Sequence, residues 1–310
     1  MASNYEHTPV MVAEVLEALR PRAGGRVADG TIGGGGHAEA MLESSSPSGL
    51  LFGCDRDGDA VEAARTRLAR FAGRFEIRQG SFEGLAEWVE PESCDGVLLD
   101  LGVSSPQLDR PERGFSFQRD GPLDMRMDPT RGTTALELVN DRDVDELARW
   151  FWDLGGERAA RRIARAIGRE RERVRLQTTR QLAALVERVA PRGGGRTHPA
   201  TGVFQALRMV VNDEAGSLER GLAAVWRTLK RGGRLAVITF HSLEDRLVKE
   251  FGRRMERDYT VSGEVDVPEL RVPVEPRLRR VWRKAIKPGP AEQALNPRAR
   301  SAQLRVFEKL

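Results

Sequence analysis

Four places in the chain set chemistry-bearing side chains beside conformationally special backbone. Gly33-Gly34-Gly35-Gly36-His37 follows a short strand-like stretch, Asp55 closes a second, Gly80-Ser81-Phe82 follows a third, and Asp100 ends a fourth before running into Val103-Ser104-Ser105-Pro106-Gln107. Consecutive glycines turn tightly and approach a ligand closely, and a helix opening there points free N–H groups at a carboxylate or phosphate. An acid after the second strand, about twenty residues on, accepts hydrogen bonds from two ribose hydroxyls. Phe82 offers a face to a purine ring. These residues describe a pocket for a nucleoside-bearing cofactor without saying which one. Gly33-x-Gly35-x-x-Ala38 also fits the dinucleotide fingerprint, so nicotinamide chemistry, a sulfonium cofactor and a purely structural turn all stay open at this level.

Such residues converge only if a doubly wound parallel sheet places them at the carboxyl ends of its strands. The spacing predicts that sheet. Thr8-Pro9 reads as a helix start, with apolar residues at helical spacing from Val10 to Leu19. Strands are expected at Arg26–Asp29, Gly49–Cys54, Phe75–Gln79 and Cys94–Asp100. Helices are expected from about Ala38 and over Ala60–Phe71, the alternation of a parallel α/β fold.

The next core strand, Arg234–Phe240, comes more than a hundred residues later. A single crossover needs far fewer. The intervening stretch carries helix starts at Thr134 with Glu137, Asp143 with Glu146, and Thr178 with Gln181, the first and third matching a capping box. The spacing therefore predicts a discontinuous sheet domain, residues 1–107 and 213–310, carrying an all-helical insertion over 108–212. Within it Gly193-Gly194-Gly195 reads as a loop. Glu214–Leu229 and Leu243–Arg257 read as helices of the sheet domain. Arg280–Ile286 and Ala302–Phe307 read as an antiparallel pair closing one edge.

The chain has 310 residues, 40% hydrophobic and 31% charged, enough for a large core. No run of eighteen apolar residues and no secretion-signal pattern occurs, and the only cysteines are Cys54 and Cys94. A protein of the reducing cytoplasm, not of the membrane, is expected. The net charge of +4 allows a polyanionic partner, although the basic residues are mostly arginine, with lysine only at 230, 249, 284, 287 and 309. His7, His37, His198 and His241 are scattered without ligand spacing, so no metal is expected.

Longer motifs narrow the choice. His7-Thr8-Pro9-Val10, Asp29-Gly30-Thr31, Gly35-Gly36-His37 and Asp55-Arg56-Asp57 are followed by Asp100-Leu101-Gly102-Val103-Ser104-Ser105-Pro106-Gln107-Leu108-Asp109 and Arg113-Gly114-Phe115-Ser116-Phe117. Then come Gly121-Pro122-Leu123-Asp124-Met125-Arg126-Met127, Phe204-Gln205-Ala206-Leu207-Arg208, Phe240-His241-Ser242-Leu243-Glu244-Asp245-Arg246 and Asn296-Pro297-Arg298-Ala299-Arg300-Ser301. In this order the chain resembles the bacterial 16S ribosomal RNA (cytosine-N4)-methyltransferase family, also called MraW or RsmH. The resemblance implies a class I S-adenosylmethionine-dependent methyltransferase fold (Rossmann-like, doubly wound) with a helical insertion. It further implies methylation of cytidine 1402 at N4 in the 16S rRNA of the small subunit. Gly35, Gly36, His37, Asp55, Phe82, Asp100 and Gln107 are implied as cofactor contacts. One departure stands out: Gly202 occupies a position where the family usually carries arginine.

Methyl transfer from a sulfonium is a direct displacement governed by alignment. A cytosine amine is a weak nucleophile because its lone pair is delocalised, and accepting hydrogen bonds from its N–H groups turns that lone pair toward the methyl. Asp100, Ser104 and Ser105 are the candidates for this work. The Ser105-Pro106 element is similar to the Ser-Pro-Pro-aromatic motif of DNA amino-methyltransferases. Transfer to carbon C5 would instead need a cysteine nucleophile, which Cys54 and Cys94 are poorly placed to supply.

His241, the arginines at 158, 161, 162, 165 and 169, Trp150-Phe151-Trp152 and the 113–117 segment are further candidates for base or RNA contact, each with an ordinary structural reading beside it. Two other classes stand against methyl transfer: a nicotinamide-dependent oxidoreductase on the same turn, and a non-catalytic RNA-binding assembly factor.

Overall fold

The computed structural model describes residues 9–190, 198–263 and 265–310. In chain order its regular elements begin with α1 (Val12–Leu19), β1 (Arg26–Asp29), α2 (Gly36–Ser44), β2 (Leu50–Asp55), α3 (Gly58–Leu68), β3 (Phe75–Gln79) and β4 (Cys94–Asp100). They continue with α4 (Ser105–Asp109), α5 (Ala135–Asp141), α6 (Val144–Asp153), α7 (Ala160–Arg171), α8 (Thr179–Val189), α9 (Ala200–Val211) and α10 (Glu214–Thr228). The last are β5 (Leu229–Thr239), α11 (Ser242–Glu256), β6 (Tyr259–Val261), β7 (Arg271–Pro273), β8 (Leu278–Arg280), α12 (Pro290–Leu295) and β9 (Gln303–Lys309). Two compact units result, Met1–Gly102 with Ala215–Leu310, and Val103–Glu214.

The first unit holds a seven-stranded sheet of order β3-β2-β1-β4-β5-β9-β8. β1 to β5 pair in parallel, whereas β9 runs antiparallel to both β5 and β8. β4 lies near its middle and is buried on both faces, as its unbroken Val97-Leu98-Leu99 run requires. Successive residues feed opposite cores: Leu98, Ala236 and Ile238 join the one under α1, α2 and α3, while Val97, Leu99 and Val237 join the one under α10 and α11. Strand order reverses beside β1, which is where such sheets open a ligand crevice.

The edge differs in detail from the spacing. β8 ends at Arg280, and the chain re-pairs with β9 only at Ile286, opposite Leu304. At the other end of the chain, α1 starts at Val12 and not at Pro9. Met11 takes the left-handed conformation (φ 58°), and the Val10 carbonyl is held by His37 instead of opening a helix. Thr8, like the Gly193–Gly195 run, lies outside the described residues.

The second unit is helical around one core containing Leu138, Leu147, Phe151, Ile163, Leu182 and Leu207. Its helix starts follow from local chemistry. Thr134 and Thr178 form reciprocal capping boxes with Glu137 and Gln181, and Asp143 caps α6 by accepting from the Asp145 N–H. Gly202 is packed against Gly155: a Cβ at Gly202 would sit 2.6 Å from the Gly155 carbonyl oxygen. Phe115 belongs to the core, and Phe117 packs against His198 and Phe204, so the aromatic residues of the 113–117 segment are committed to packing. Phe151 is likewise interior, while Trp152 stays 58% exposed. Among the described residues, no helix is long and apolar enough to cross a membrane.

Candidate active site

The carboxyl ends of β1, β2, β3 and β4 gather Asp29, the glycine turn, Asp55, Phe82 and Asp100 in the first unit. Gly33 and Gly35 have φ of +51° and +80°, so the turn between β1 and α2 needs residues without a Cβ. The turn is tied to the next strand end: Asp55 Oδ2 accepts from the Gly33 N–H and Oδ1 from the Asp57 N–H, both at 2.9 Å. Each oxygen keeps a lone pair for a further donor. Burial raises the Asp55 carboxyl to about 6 against the lowering effect of those two bonds, with Asp57 adding repulsion and Arg56 opposing it.

His37, one residue into α2, is held through Nε2 and faces Asp100 with Nδ1. Nε2 lies 2.8 Å from the Val10 carbonyl oxygen, which fixes the proton there, and Nδ1 lies 3.8 Å from Asp100 Oδ2.

Asp100 is oriented through its backbone. Its N–H donates to Thr31 Oγ1 at 2.6 Å, while the Thr31 N–H donates to Asp29 Oδ1 at 3.1 Å. Thr31 thus locks the ends of β1 and β4 together, a job its place in the Asp29-Gly30-Thr31 motif could have suggested. Asp100 Oδ1 is buried and has no hydrogen-bond partner among the described residues. Burial pushes the Asp100 carboxyl well up, and the nearby Asp29 and Glu244 carboxylates push it the same way.

Asp29 itself is raised to about 7, chiefly by burial, against the opposing Thr31 N–H and with added repulsion from Asp55. Its sign as a stability term is definite. An acid at 3.8 in the unfolded chain and about 7 in the fold costs nothing below 3.8, and the cost grows as pH rises until about 7. At pH 8 the penalty is about 4 kcal/mol. Asp29→Asn retains an acceptor oxygen and removes the charge. Its melting temperature should exceed the parent's by several degrees at pH 8 and match it near pH 4. A difference that does not vary with pH would rule this out.

Phe82 opens a short helical turn, Phe82–Glu87, capped by Ser81. Its ring fits between two glycines. A Cβ on Gly221 of α10 would lie 2.0 Å from Phe82 Cε2, and one on Gly30 would lie 2.7 Å from Phe82 Cβ. Beside the ring, Glu83 accepts from Arg56 (3.0 Å), Ser217 (2.5 Å) and Arg220 (2.6 Å), bonding β2, the turn and α10 together. Sequence reasoning missed Gly221. Its signal is a glycine inside a helix interior, which costs about 1 kcal/mol and so needs a packing reason.

Phe240-His241-Ser242 follows β5 at the same end of the sheet. His241 is the N-cap of α11: Nε2 lies 3.0 Å from Glu244 Oε1, and Glu244 Oε2 accepts from the Phe240 N–H at 2.8 Å. The ring is engaged in capping. Cys54 is buried in β2 with its thiol aimed at the Gly30 carbonyl; burial, then Asp55 and Asp29, raise it far above the ordinary thiol range. Cys94 opens β4, at the opposite end from Asp100.

Ser104, Ser105 and Gln107 belong to the second unit, at the start of α4. Gln107 Oε1 accepts from the Ser104 N–H at 3.1 Å. Ser105 and Gln107 are buried. Ser104 Oγ is a buried hydroxyl oxygen without a hydrogen-bond partner among the described residues.

A parallel sheet with an antiparallel β9 inserted next to β5, a glycine turn after β1 and an acid ending β2 make this a class I S-adenosylmethionine-dependent methyltransferase. The residues fit that cofactor: the turn offers N–H groups, Asp55 offers free lone pairs, and Asp100 ends the neighbouring strand beside them.

Comparison with known proteins is decisive about kinship. The model of the MraW methylase family matches residues 4–310, and the chain belongs to that family. The ribosomal RNA small subunit methyltransferase H of Geotalea uraniireducens (strain Rf4) is 48% identical, over 99% of this chain and 100% of the relative. Proteins of the same name from Syntrophotalea carbinolica and Geobacter sulfurreducens are each 50% identical, over 99% of this chain and 98% and 99% of their own lengths. Neither a nicotinamide oxidoreductase nor a non-catalytic assembly factor is supported by these relatives.

Proposed function

We propose that this protein transfers a methyl group from S-adenosylmethionine to the N4 amine of cytidine 1402 in the 16S rRNA of the small ribosomal subunit. The observation that carries this reading is the buried, unpartnered Asp100 Oδ1 at the end of β4, joined by Thr31 to the glycine-turn strand. When bound, the cofactor supplies an electrophilic methyl; everything else is alignment. The turn Gly33–Gly36 and the start of α2 hold its amino-acid end, with His37 beside them. Asp55 accepts its ribose hydroxyls, Phe82 packs on its adenine, and Gln107 completes the set.

Asp100 acts on the acceptor. Its free oxygen receives an N–H of the cytosine amine, which frees the lone pair, and a carboxyl held well up is a competent receiver of the proton released afterwards. Of the two serines, we assign Ser104 the base contact, since its hydroxyl has no partner while Ser105 is buried in α4. C5 transfer is disfavoured by thiols that are buried and raised. RNA recognition is assigned to the helical unit, where Arg158, Arg161, Arg162, Arg165 and Arg169 are exposed. The protein acts in the cytoplasm, where subunits are assembled.

Transfer of labelled methyl to purified small subunits lacking this modification, followed by nucleoside analysis, tests the reading. N4-methylcytidine is expected; label at C5 or on a ribose oxygen would overturn it.

The Phe82 slot makes a second prediction. Gly221→Ala forces the ring out of place, an overpacking cost of about 1–3 kcal/mol. The cofactor KM should rise about tenfold with kcat changed much less. Adding Phe82→Ala should recover thermal stability without recovering cofactor affinity. Unchanged KM in Gly221→Ala would remove Phe82 from the adenine pocket.

A further inference from the structure

The net charge of the chain is only +4, yet between Glu275 and Glu292 lie Arg277, Arg279, Arg280, Arg283, Lys284 and Lys287 with no acidic residue among them. Two of these are neutralised, Arg279 by Glu308 and Arg280 by Glu256. Arg283, Lys284 and Lys287 are exposed, and their side chains make no hydrogen bond or ion pair among the described residues, a property shared by exposed Arg300.

Strand register fixes their level in the sheet. Asp100 of β4 pairs with Ile238 of β5, Ile238 with Leu304 of β9, and Leu304 with Ile286. Lys287 is therefore one residue past the level of Asp100, at the catalytic end of the sheet. It lies three strand spacings away, about 14 Å. Arg300 precedes β9, whose first residue Gln303 pairs with Thr239 at the end of β5, so it stands beyond the same end.

We infer that Arg283, Lys284, Lys287 and Arg300 form a ledge that grips phosphates of the rRNA strand flanking the target cytidine, on the methyltransferase unit itself. The inference rests on the rRNA reading above and adds a second contact surface to the one assigned to the helical unit. Lys287, one residue past the level of Asp100, Arg300, beyond the same end, and Arg283 and Lys284, on the segment leading to Ile286, are exposed cations that match a polyanionic strand entering from one side of the crevice. Residues this exposed contribute little to folding, so they can be exchanged without disturbing the fold.

The test compares the full-length parent with Arg283→Gln/Lys284→Gln/Lys287→Gln/Arg300→Gln. Binding to unmodified small subunits and to naked 16S RNA is measured across a potassium chloride series. Releasing about four phosphate contacts on a single strand should make the slope of log affinity against log salt shallower by about 3. Affinity for subunits should fall at least about tenfold, with the melting temperature and cofactor affinity unchanged. The charge-preserving Arg283→Lys/Arg300→Lys variant should keep the parent slope. An unchanged slope in the quadruple variant would overturn the ledge. A loss seen with subunits but not with naked RNA would also overturn it, pointing to a ribosomal protein as the contact. A parent that binds subunits without methylating them would instead defeat the proposed reaction, while the slope would still decide the ledge.

Discussion

Asp100→Ala is expected to lower methyl transfer to small subunits by at least about 10³-fold, in the range of losing a positioned acceptor and a proton receiver together. The Asp100 Oδ1 atom is buried without a partner, whereas its backbone is locked to Thr31, so the side chain is aimed by the strand end and not by a competing bond. Loss of fold does not predict the same pattern. The carboxyl is held well up by burial and by Asp29 and Glu244, so its removal takes away a cost that grows as pH rises above the unfolded value of 3.8. The variant should therefore melt no lower than the parent at pH 8 while its turnover collapses. Asp100→Asn separates the two jobs. It keeps an acceptor oxygen but takes no proton, so substantial activity would assign Asp100 to orientation alone, and collapse equal to alanine would assign it the proton as well. Near-normal rates in Asp100→Ala would remove it from the mechanism.

The second large effect concerns Asp55. Two ribose hydroxyls donating to a carboxylate are each worth about 1.5–3 kcal/mol, so Asp55→Ala should weaken cofactor binding by about 10²–10⁴-fold. Part of that loss is local, because the Gly33 and Asp57 N–H groups also lose their acceptor. Asp55→Asn isolates the charge. The parent carboxyl is raised to about 6 in the free protein, and extra donors favour its ionised form. Binding then releases a proton below pH 6, so affinity for S-adenosylhomocysteine should climb as pH rises toward 6 and level off above it. Calorimetry from pH 4.5 to 7.5 reads this directly. Asp55→Asn should flatten the climb, and an undiminished climb in that variant would assign the titration to another group.

Much of the fold is legible in the sequence. β1, β3 and β4 lie where alternation and apolar runs put them, because a strand buried on both faces must be continuously apolar and must end where polar ligand-binding residues begin. The helix starts at Thr134, Asp143 and Thr178 could be read because capping depends on side chains only three residues apart. Candidate cofactor residues could be proposed because glycine turns and strand-end acids carry their chemistry in residue type, while Gln107 entered only through the family resemblance. The start of α1 was not legible: Val10 gives its carbonyl to His37, twenty-seven residues away, and no local pattern records that bond.

Residue type and spacing by themselves determined the parallel sheet and the family, and named the cast proposed for the site, since each depends on periodicity, capping or motif order. Only the tertiary structure decided how that cast is used. It left Asp100 Oδ1 and Ser104 Oγ without partners, engaged His241 in capping α11, and turned Phe115 and Phe117 into core. It also opposed Gly221 to Phe82 across 139 positions and brought Lys287 to one residue past the level of Asp100. The physical reason is that hydrogen-bond satisfaction, burial and strand register are properties of pairs distant in the chain, and a linear pattern specifies which groups need partners without saying which partners they find.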